Sequence, residues 1–309
     1  MNTQHQVFQK LLVRIQRLAP LPTAVVHPCD GESLRGALDA ARRRLIKPIL
    51  VGPEAKIHRV AKAAGLNIRG CEIVSTEHSH AAAEAAVALA RAGRVECLMK
   101  GSLHTDELMA AVVAAATGLR TARRISHVFV LDVPAYPRPL LITDAAINIY
   151  PDLETKRDIV QNAIDLAHAL GIARPRVAIL SAVETVTPKI PSTVDAAALC
   201  KMADRGQITG ALLDGPLGFD NAISEAARRA KHITSQVAGR PDILVVPDLE
   251  AGNMLVKQLQ YLAGATAAGI VLGARVPIAL TSRADSAQSR MASAAIAVLL
   301  RAHAKKARK

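Results

Sequence analysis

The chain has 309 residues, of which 50% are hydrophobic, 21% charged and only 2% aromatic, with no tryptophan. That is enough Ala, Val, Leu and Ile for two medium-sized cores, and it argues against a disulfide miniprotein, a disordered chain or a protein that stacks bases on aromatic rings. Lys plus Arg number 39 against 26 Asp plus Glu, and the net charge of +13 favours anionic partners: nucleic acid, an acidic membrane surface or phosphorylated metabolites.

The N-terminal segment MNTQHQVFQKLLVRIQRLAP is amphipathic, with neither an uninterrupted apolar run nor a small-residue cleavage site, so no secretory signal is expected. No stretch reaches the ~18 uncharged apolar residues of a membrane span, and a cytoplasmic location is the expectation. β-rich runs predict strands at 24–27, 48–51, 97–99, 127–131, 140–143, 176–181, 210–214, 243–246, 268–272 and 277–281. Between most of them the periodicity predicts helices at 31–44, 80–92, 155–170, 194–203, 221–231, 253–263 and 287–302. This alternation is the pattern of βαβ units, hence an α/β protein with parallel sheets. The run Arg42-Arg43-Arg44 and the tail residues Lys305, Lys306, Arg308 and Lys309 read as solvated surface. The Pro-rich segment 133–139 cannot be a central strand and is expected to form a hairpin excursion or a connection between domains. A second domain is expected near Asp144, with the last helix returning to the first: residues 1–144 plus 283–309 against 145–282. Cys29, Cys71, Cys97 and Cys200 fit no CxxC spacing and read as reduced structural thiols.

No Gly-x-Gly-x-x-Gly follows a strand, and there is neither a Walker phosphate loop nor a Gly-x-Ser-x-Gly elbow. Two polar clusters stand instead at the carboxyl ends of predicted strands, where open α/β sheets bind ligands, and a third stands ahead of a strand. The first, Thr281-Ser282-Arg283-Ala284-Asp285-Ser286, offers a hydroxyl, a guanidinium suited to phosphate and a following helix N-terminus; Asp285 or Ser286 as a plain helix cap is the competing structural reading. In the second, Lys100-Gly101-Ser102-Leu103-His104-Thr105-Asp106, Lys100 is suited to an anion and Gly101 to close backbone approach, with Asp106 as an alternative N-cap. The third, Arg120, Arg123 and Arg124 ahead of Ser126, suits a multiply phosphorylated small molecule. Asp144 with Asn148, and Asp248 with Asn253, either orient a ligand or cap a helix. Glu77-His78-Ser79-His80 has metal-ligand chemistry but no third partner at a characteristic spacing, and no metal is expected there.

The segments LMKGSLHTDELM, GLRTARRISHVFVLDVPAYPRPLLITDAAINIYPDLETKRDIVQNAIDLA, PRVAILSAVETV, LLDGPLGFDNAIS, PDILVVPDLEAGNMLVKQL and VPIALTSRADS, in that order, give the chain its likeness to a known family. From about Pro22 to Leu300 it resembles the phosphate acetyltransferase and phosphate butyryltransferase family, most nearly the transferase portions of proteins that also carry an enoyl-CoA hydratase domain. The resemblance implies two α/β domains of isocitrate dehydrogenase-like fold with a cleft between them, and a homodimer. It also implies reversible acyl transfer between coenzyme A and inorganic phosphate, with coenzyme A or acyl-CoA and phosphate or acyl phosphate as partners and no metal or bound organic cofactor. By the same resemblance Ser282 stabilises developing charge and Arg283 engages phosphate. In acetyltransferase-type members the thiol-activating base is an Asp seven positions after that Ser, where this chain has Ser289. Asp285 is the first substitute and His104 the second. Lys100, Gly101, Arg120, Arg123, Arg124, Ser126, Asp144, Asn148 and Asn253 are the expected substrate-binding residues. Butyryl in place of acetyl specificity, a metal- and NAD-dependent dehydrogenase of the same fold, and a basic nucleic-acid-binding protein are the alternatives.

Overall fold

The structure is a computed structural model that describes residues 6–282 and 285–307. In chain order the strands are β1 (Leu21–Val26), β2 (Ile46–Gly52), β3 (Glu72–Ser75), β4 (Cys97–Lys100), β5 (Ser126–Asp132), β6 (Leu140–Thr143), β7 (Arg176–Leu180), β8 (Leu212–Leu217), β9 (Ile243–Val245), β10 (Thr266–Leu272) and β11 (Ile278–Ala279). The helices are α1 (Gln6–Ile15), α2 (Gly31–Arg42), α3 (Glu54–Ala63), α4 (Ser79–Arg91), α5 (Thr105–Val113), α6 (Leu153–Ala169), α7 (Pro191–Asp204), α8 (Phe219–Ile223), α9 (Glu225–Ala230), α10 (Leu249–Tyr261) and α11 (Ala287–Ala307).

The chain divides into two compact units, one formed by Phe8–Arg123 with the stretch from Ala268 onward, the other by Arg124–Ala267 with the first described residues up to Val7. In the first unit the strand order is β3-β2-β1-β4-β11-β10, parallel except where β10 runs against β11. In the second it is β5-β6-β9-β7-β8, parallel except for the β5–β6 hairpin. The unit bounds differ from the expected 144 and 282. β5 and β6 pair with Leu131 opposite Leu140, and β6 then pairs with β9, which ties 126–143 to the elements that follow. β11 pairs with β4, which carries 278–279 back to the first unit. The Pro-rich segment is the turn of the β5–β6 hairpin.

Strands β1 and β4 are apolar on both faces because helices cover both sides of a parallel sheet: Ala24, Val25, Val26 and Leu98 are fully buried. Asp30 opens α2 by accepting the Ser33 N–H at 2.8 Å, and Asp248 opens α10 by accepting that of Ala251 at 2.9 Å. The Asp248 pattern is therefore a cap. His78 caps α4, its Nδ1 accepting the Ala81 N–H at 3.2 Å, which gives the Glu77–His80 cluster a structural role. The predicted helix 221–231 breaks at Ser224, whose backbone is extended and whose hydroxyl caps α9.

Candidate active site

Within the first unit the chain leaves β1 outward through α2 to β2 and β3, then returns over β1 through α4 to β4 on the other side. The connections on β1 and β4 therefore depart in opposite directions, which opens a crevice beyond their carboxyl ends. Val26 pairs with Lys100, and Met99 with Ala279, so β1, β4 and β11 end side by side. His27, the segment Lys100 to Ser102, and Thr281 with Ser282 thus emerge at one edge of this sheet.

Gly101 is what lets the loop after β4 lie against the end of β1. Its N–H donates to the Val26 carbonyl at 2.9 Å, and an added Cβ would sit 2.4 Å from that same oxygen and 2.5 Å from the His27 carbonyl oxygen. Ser102 then donates its N–H to the His27 carbonyl at 2.9 Å. Its hydroxyl lies 2.8 Å from the same carbonyl oxygen, 3.0 Å from His27 Nδ1 and 3.3 Å from the Cys29 backbone nitrogen, which donates to it. His27 itself holds a left-handed backbone with φ of 53°, uncommon for a residue with a side chain and found disproportionately at functional sites. Burial, reinforced by the charge of Lys56, pushes the His27 imidazole below its ordinary 6.5, against the opposing pull of Glu107 and Asp30. Burial also pushes the Cys29 thiol up to about 11, which makes it a packing group and no nucleophile.

On the β11 side, Asp285 Oδ2 accepts the Ser282 N–H at 2.7 Å and the Asp285 N–H returns to the Ser282 carbonyl at 3.2 Å. Arg290, only 1% exposed, donates to the Thr281 hydroxyl and to the Ser282 carbonyl, each at 3.1 Å. Ser286 caps α11, its hydroxyl accepting the Ser289 N–H at 3.2 Å. Arg283 and Ala284 lie outside the described residues. Ser289, where the resemblance expects a carboxylate, is 5% exposed.

The other expected residues divide between the units. In the first, Lys100 is 3% exposed at the end of β4, while His104 is exposed at the N-cap position of α5 with no side-chain cap bond; Asp106 falls in that helix's first turn and is not its cap. Arg120 and Arg123 are exposed; Arg120 bridges to Ala274, and the Arg123 N–H donates to Thr121 Oγ1 at 3.1 Å. In the second unit, the Arg124 N–H donates to Asp158 at 2.9 Å, and Ser126 is buried against Asn162 Nδ2 at 2.8 Å. Asp144, also buried, accepts the backbone N–H groups of Ala146, Ile147 and Asn148 at 2.9, 3.1 and 3.2 Å, and Asn148 Nδ2 at 2.6 Å. Asn253 donates to the Ala145 carbonyl at 3.3 Å. Asp144, Asn148 and Asn253 therefore gather at the end of β6, where they fasten one loop. His27, Ser102 and Arg290 received no role from the sequence; the usable signal was a His-Pro pair ending an apolar strand in the first β–α turn. Among the described residues no group of three or more His, Cys, Asp or Glu side chains is placed to hold a metal ion, and no helix is long and apolar enough to cross a membrane.

A sheet whose strand ends gather a buried lysine, a hydroxyl and a guanidinium-braced serine loop is built to hold an anionic substrate. The profile of the family described as Phosphate acetyl/butaryl transferase matches residues 81–298. A phosphate acetyltransferase of Rhizobium meliloti is 66% identical over 96% of this chain and 94% of its own length. A phosphate butyryltransferase of Clostridium acetobutylicum is 40% identical over 95% of this chain and 97% of its own. Among solved structures, a branched-chain phosphotransacylase from Enterococcus faecalis superposes with a TM-score of 0.78 at 30% identity, covering 91% of this chain and 99% of that one. The chain belongs to the phosphate acetyl/butyryl transferase family and is an acyltransferase of isocitrate dehydrogenase-like α/β fold.

Proposed function

We propose that this protein transfers an acetyl group reversibly between coenzyme A and inorganic phosphate, in preference to butyryl. The observation that carries the reading is the convergence of the β4 and β11 ends, which puts Lys100 and the Ser282 loop at one sheet edge in a chain 66% identical to a phosphate acetyltransferase. The coenzyme A thiolate attacks the acetyl phosphate carbonyl with both substrates bound, phosphate leaves, and no acyl-enzyme forms. The Ser282 hydroxyl donates to the oxyanion as charge develops, and Arg283 engages the phosphate. Asp285 and Arg290 hold the Ser282 backbone from its two ends, so the hydroxyl is presented rather than sought at each turnover. Lys100, Arg120, Arg123 and Arg124 supply positive charge for the acyl phosphate and the coenzyme A phosphates. Neither metal nor nicotinamide takes part, and the protein works as a homodimer in the cytoplasm.

The test is acyl-CoA formation from coenzyme A with acetyl or butyryl phosphate, run with and without a chelator. Acetyl phosphate is the better substrate and the chelator leaves the rate unchanged. Removing one oxyanion donor commonly costs about 10²- to 10³-fold in turnover, and Ser282→Ala is expected to fall in that range. Arg283→Ala loses a charge-assisted bond of ~1.5–3 kcal/mol and raises KM for acetyl phosphate roughly 10- to 100-fold. Asp285→Asn still offers an oxygen to the Ser282 N–H and keeps more than a tenth of the activity, as judged by the same assay. A folded wild type that transfers neither group overturns the reading; light scattering on the same sample decides the dimer.

A further inference from the structure

Acyl transfer from acetyl phosphate requires that the coenzyme A thiol lose its proton, since the thiolate is the nucleophile. The carboxylate that the family resemblance expects for this step is replaced by Ser289, and Asp285, the carboxylate next to Ser282 in the strand-end cluster, already accepts the Ser282 N–H. His104 is exposed, with no side-chain cap bond to orient its ring. A second imidazole, that of His27, lies at the end of β1 beside the loop after β4. We propose that His27 takes the thiol proton, and that Ser102 fixes its tautomer so that Nε2 carries the receiving lone pair; this rests on the acyltransferase reading above.

The tautomer follows from the three neighbours of the Ser102 hydroxyl. Two oxygens 2.8 Å apart repel unless a proton lies between them, so the single hydroxyl hydrogen points at the His27 carbonyl. Having given that hydrogen away, Oγ can only accept from Nδ1 at 3.0 Å, which places the imidazole proton on Nδ1. The Cys29 N–H, whose shorter bond at 2.8 Å goes to the His27 carbonyl, also reaches Oγ at 3.3 Å from the accepting side. Nε2 is then the basic nitrogen, and the hydrogen bonds of His27 recorded among the described residues all go through Nδ1 or the backbone. Burial and Lys56 keep the ring neutral at neutral pH, while Glu107 of α5 and Asp30 after β1 face it with negative charge that stabilises the imidazolium once formed. His27 stands one strand from Lys100 and two from Thr281 and Ser282, about 5 and 10 Å across the sheet, a span that a bound acyl phosphate and thiol bridge.

In the step itself the S–H bond breaks and an Nε2–H bond forms. The sulfur pair makes the C–S bond to the acyl carbon, and the C–O bond to phosphate breaks with its electron pair leaving on phosphate. In the reverse reaction the imidazolium returns its proton to the departing thiolate.

Two measurements test this. In the first, initial rates of acetyl-CoA formation are followed from pH 5.5 to 9.5 for wild type, His27→Gln and Ser102→Ala. His27→Gln is expected to lose about 10²- to 10⁴-fold in kcat with KM within a few-fold, as for removal of a general base, and to recover toward high pH as the thiol ionises unaided. Its profile also loses the acid limb that wild type shows below pH 6.5. Ser102→Ala falls between the two. Turnover of His27→Gln within threefold of wild type, with an unchanged profile, overturns the proposal alone; a wild type inactive on both acyl phosphates overturns the transferase reading and this proposal with it. In the second, the imidazole nitrogens of the unliganded protein are observed by NMR, His27 being assigned from the Ser102→Ala spectrum should His27→Gln fail to fold. A proton on Nδ1 supports the proposal, and a proton on Nε2 in the neutral ring overturns it whatever the kinetics show.

Discussion

At Gly101 the chain has no room for a side chain: a Cβ would meet two backbone carbonyl oxygens, those of Val26 and His27, at 2.4 and 2.5 Å. Neither can swing aside as a flexible side chain would, because both accept hydrogen bonds from the loop after β4. Gly101→Ala must therefore push that loop off the end of β1, carrying Ser102 away from His27. We expect a loss of ~1–3 kcal/mol from overpacking, read by urea denaturation, together with loss of most turnover. The close approach at Gly101 and the strand-end place of Lys100 were legible in the sequence, because a glycine after an apolar strand and ahead of a hydroxyl is an identifiable pattern. The pairing of His27 with Ser102 was not, since 75 residues separate them and only the β1–β4 register brings them together.

Helix α11 carries the other half of the site's support, and it does so through its contact with α2. Arg290 lies along Gly36, where an added Cβ would come 2.7 Å from Arg290 Cδ and 3.1 Å from its Cβ. Gly36→Ala brings a helix-propensity gain of roughly 0.5–1 kcal/mol, smaller than the ~1–3 kcal/mol that overpacking a tight contact costs. The net effect on stability is therefore modest. Because Arg290 braces Thr281 and Ser282, the variant is expected to lose a larger factor in kcat than its thermal midpoint suggests; equal activity at lowered stability would show that the brace is unimportant. The sequence predicted α2, α4, α6, α7, α10 and α11 but missed α1, α3, α5 and β3. In α3 only Ile57 and Ala61 are buried, which leaves almost no apolar stripe to read, and the start of α5 is masked by the polar cluster that precedes it. β3 is an edge strand of four residues with neither end buried.

Over the whole molecule, the four cysteines are free. Burial raises the thiol of Cys97 to about 12, that of Cys200 to about 12 and that of Cys29 to about 11, from an ordinary 9.0. Burial likewise holds the Tyr136 phenol up at about 12, from 10.0. A group whose folded pKa is raised contributes stability that is complete below its unfolded pKa and fades as pH rises toward the folded value. The unfolded chain thus sheds protons between about pH 9 and 11 that the folded chain retains, and the urea midpoint is expected to fall across that window. Cys200→Ala should flatten the fall. A midpoint flat from pH 8 to 10.5 would show that these groups titrate alike in the folded and the unfolded chain.

By itself the sequence determined the α/β class, the strand-end positions of Lys100, Gly101 and Ser282, and the family. Those rest on local period and on residues adjacent in the chain, which need no knowledge of what packs where. The tertiary structure decided the unit bounds, because strand pairing and not chain order assigns β5, β6 and β11 to their units. It also gave Asp144, Asn148 and Asn253 their loop-fastening bonds and made Asp285 a clamp on Ser282. Above all it brought the Ser102 hydroxyl within 2.8 Å of the His27 carbonyl and 3.0 Å of its Nδ1, the contacts from which the proposed tautomer is argued and which only folding creates.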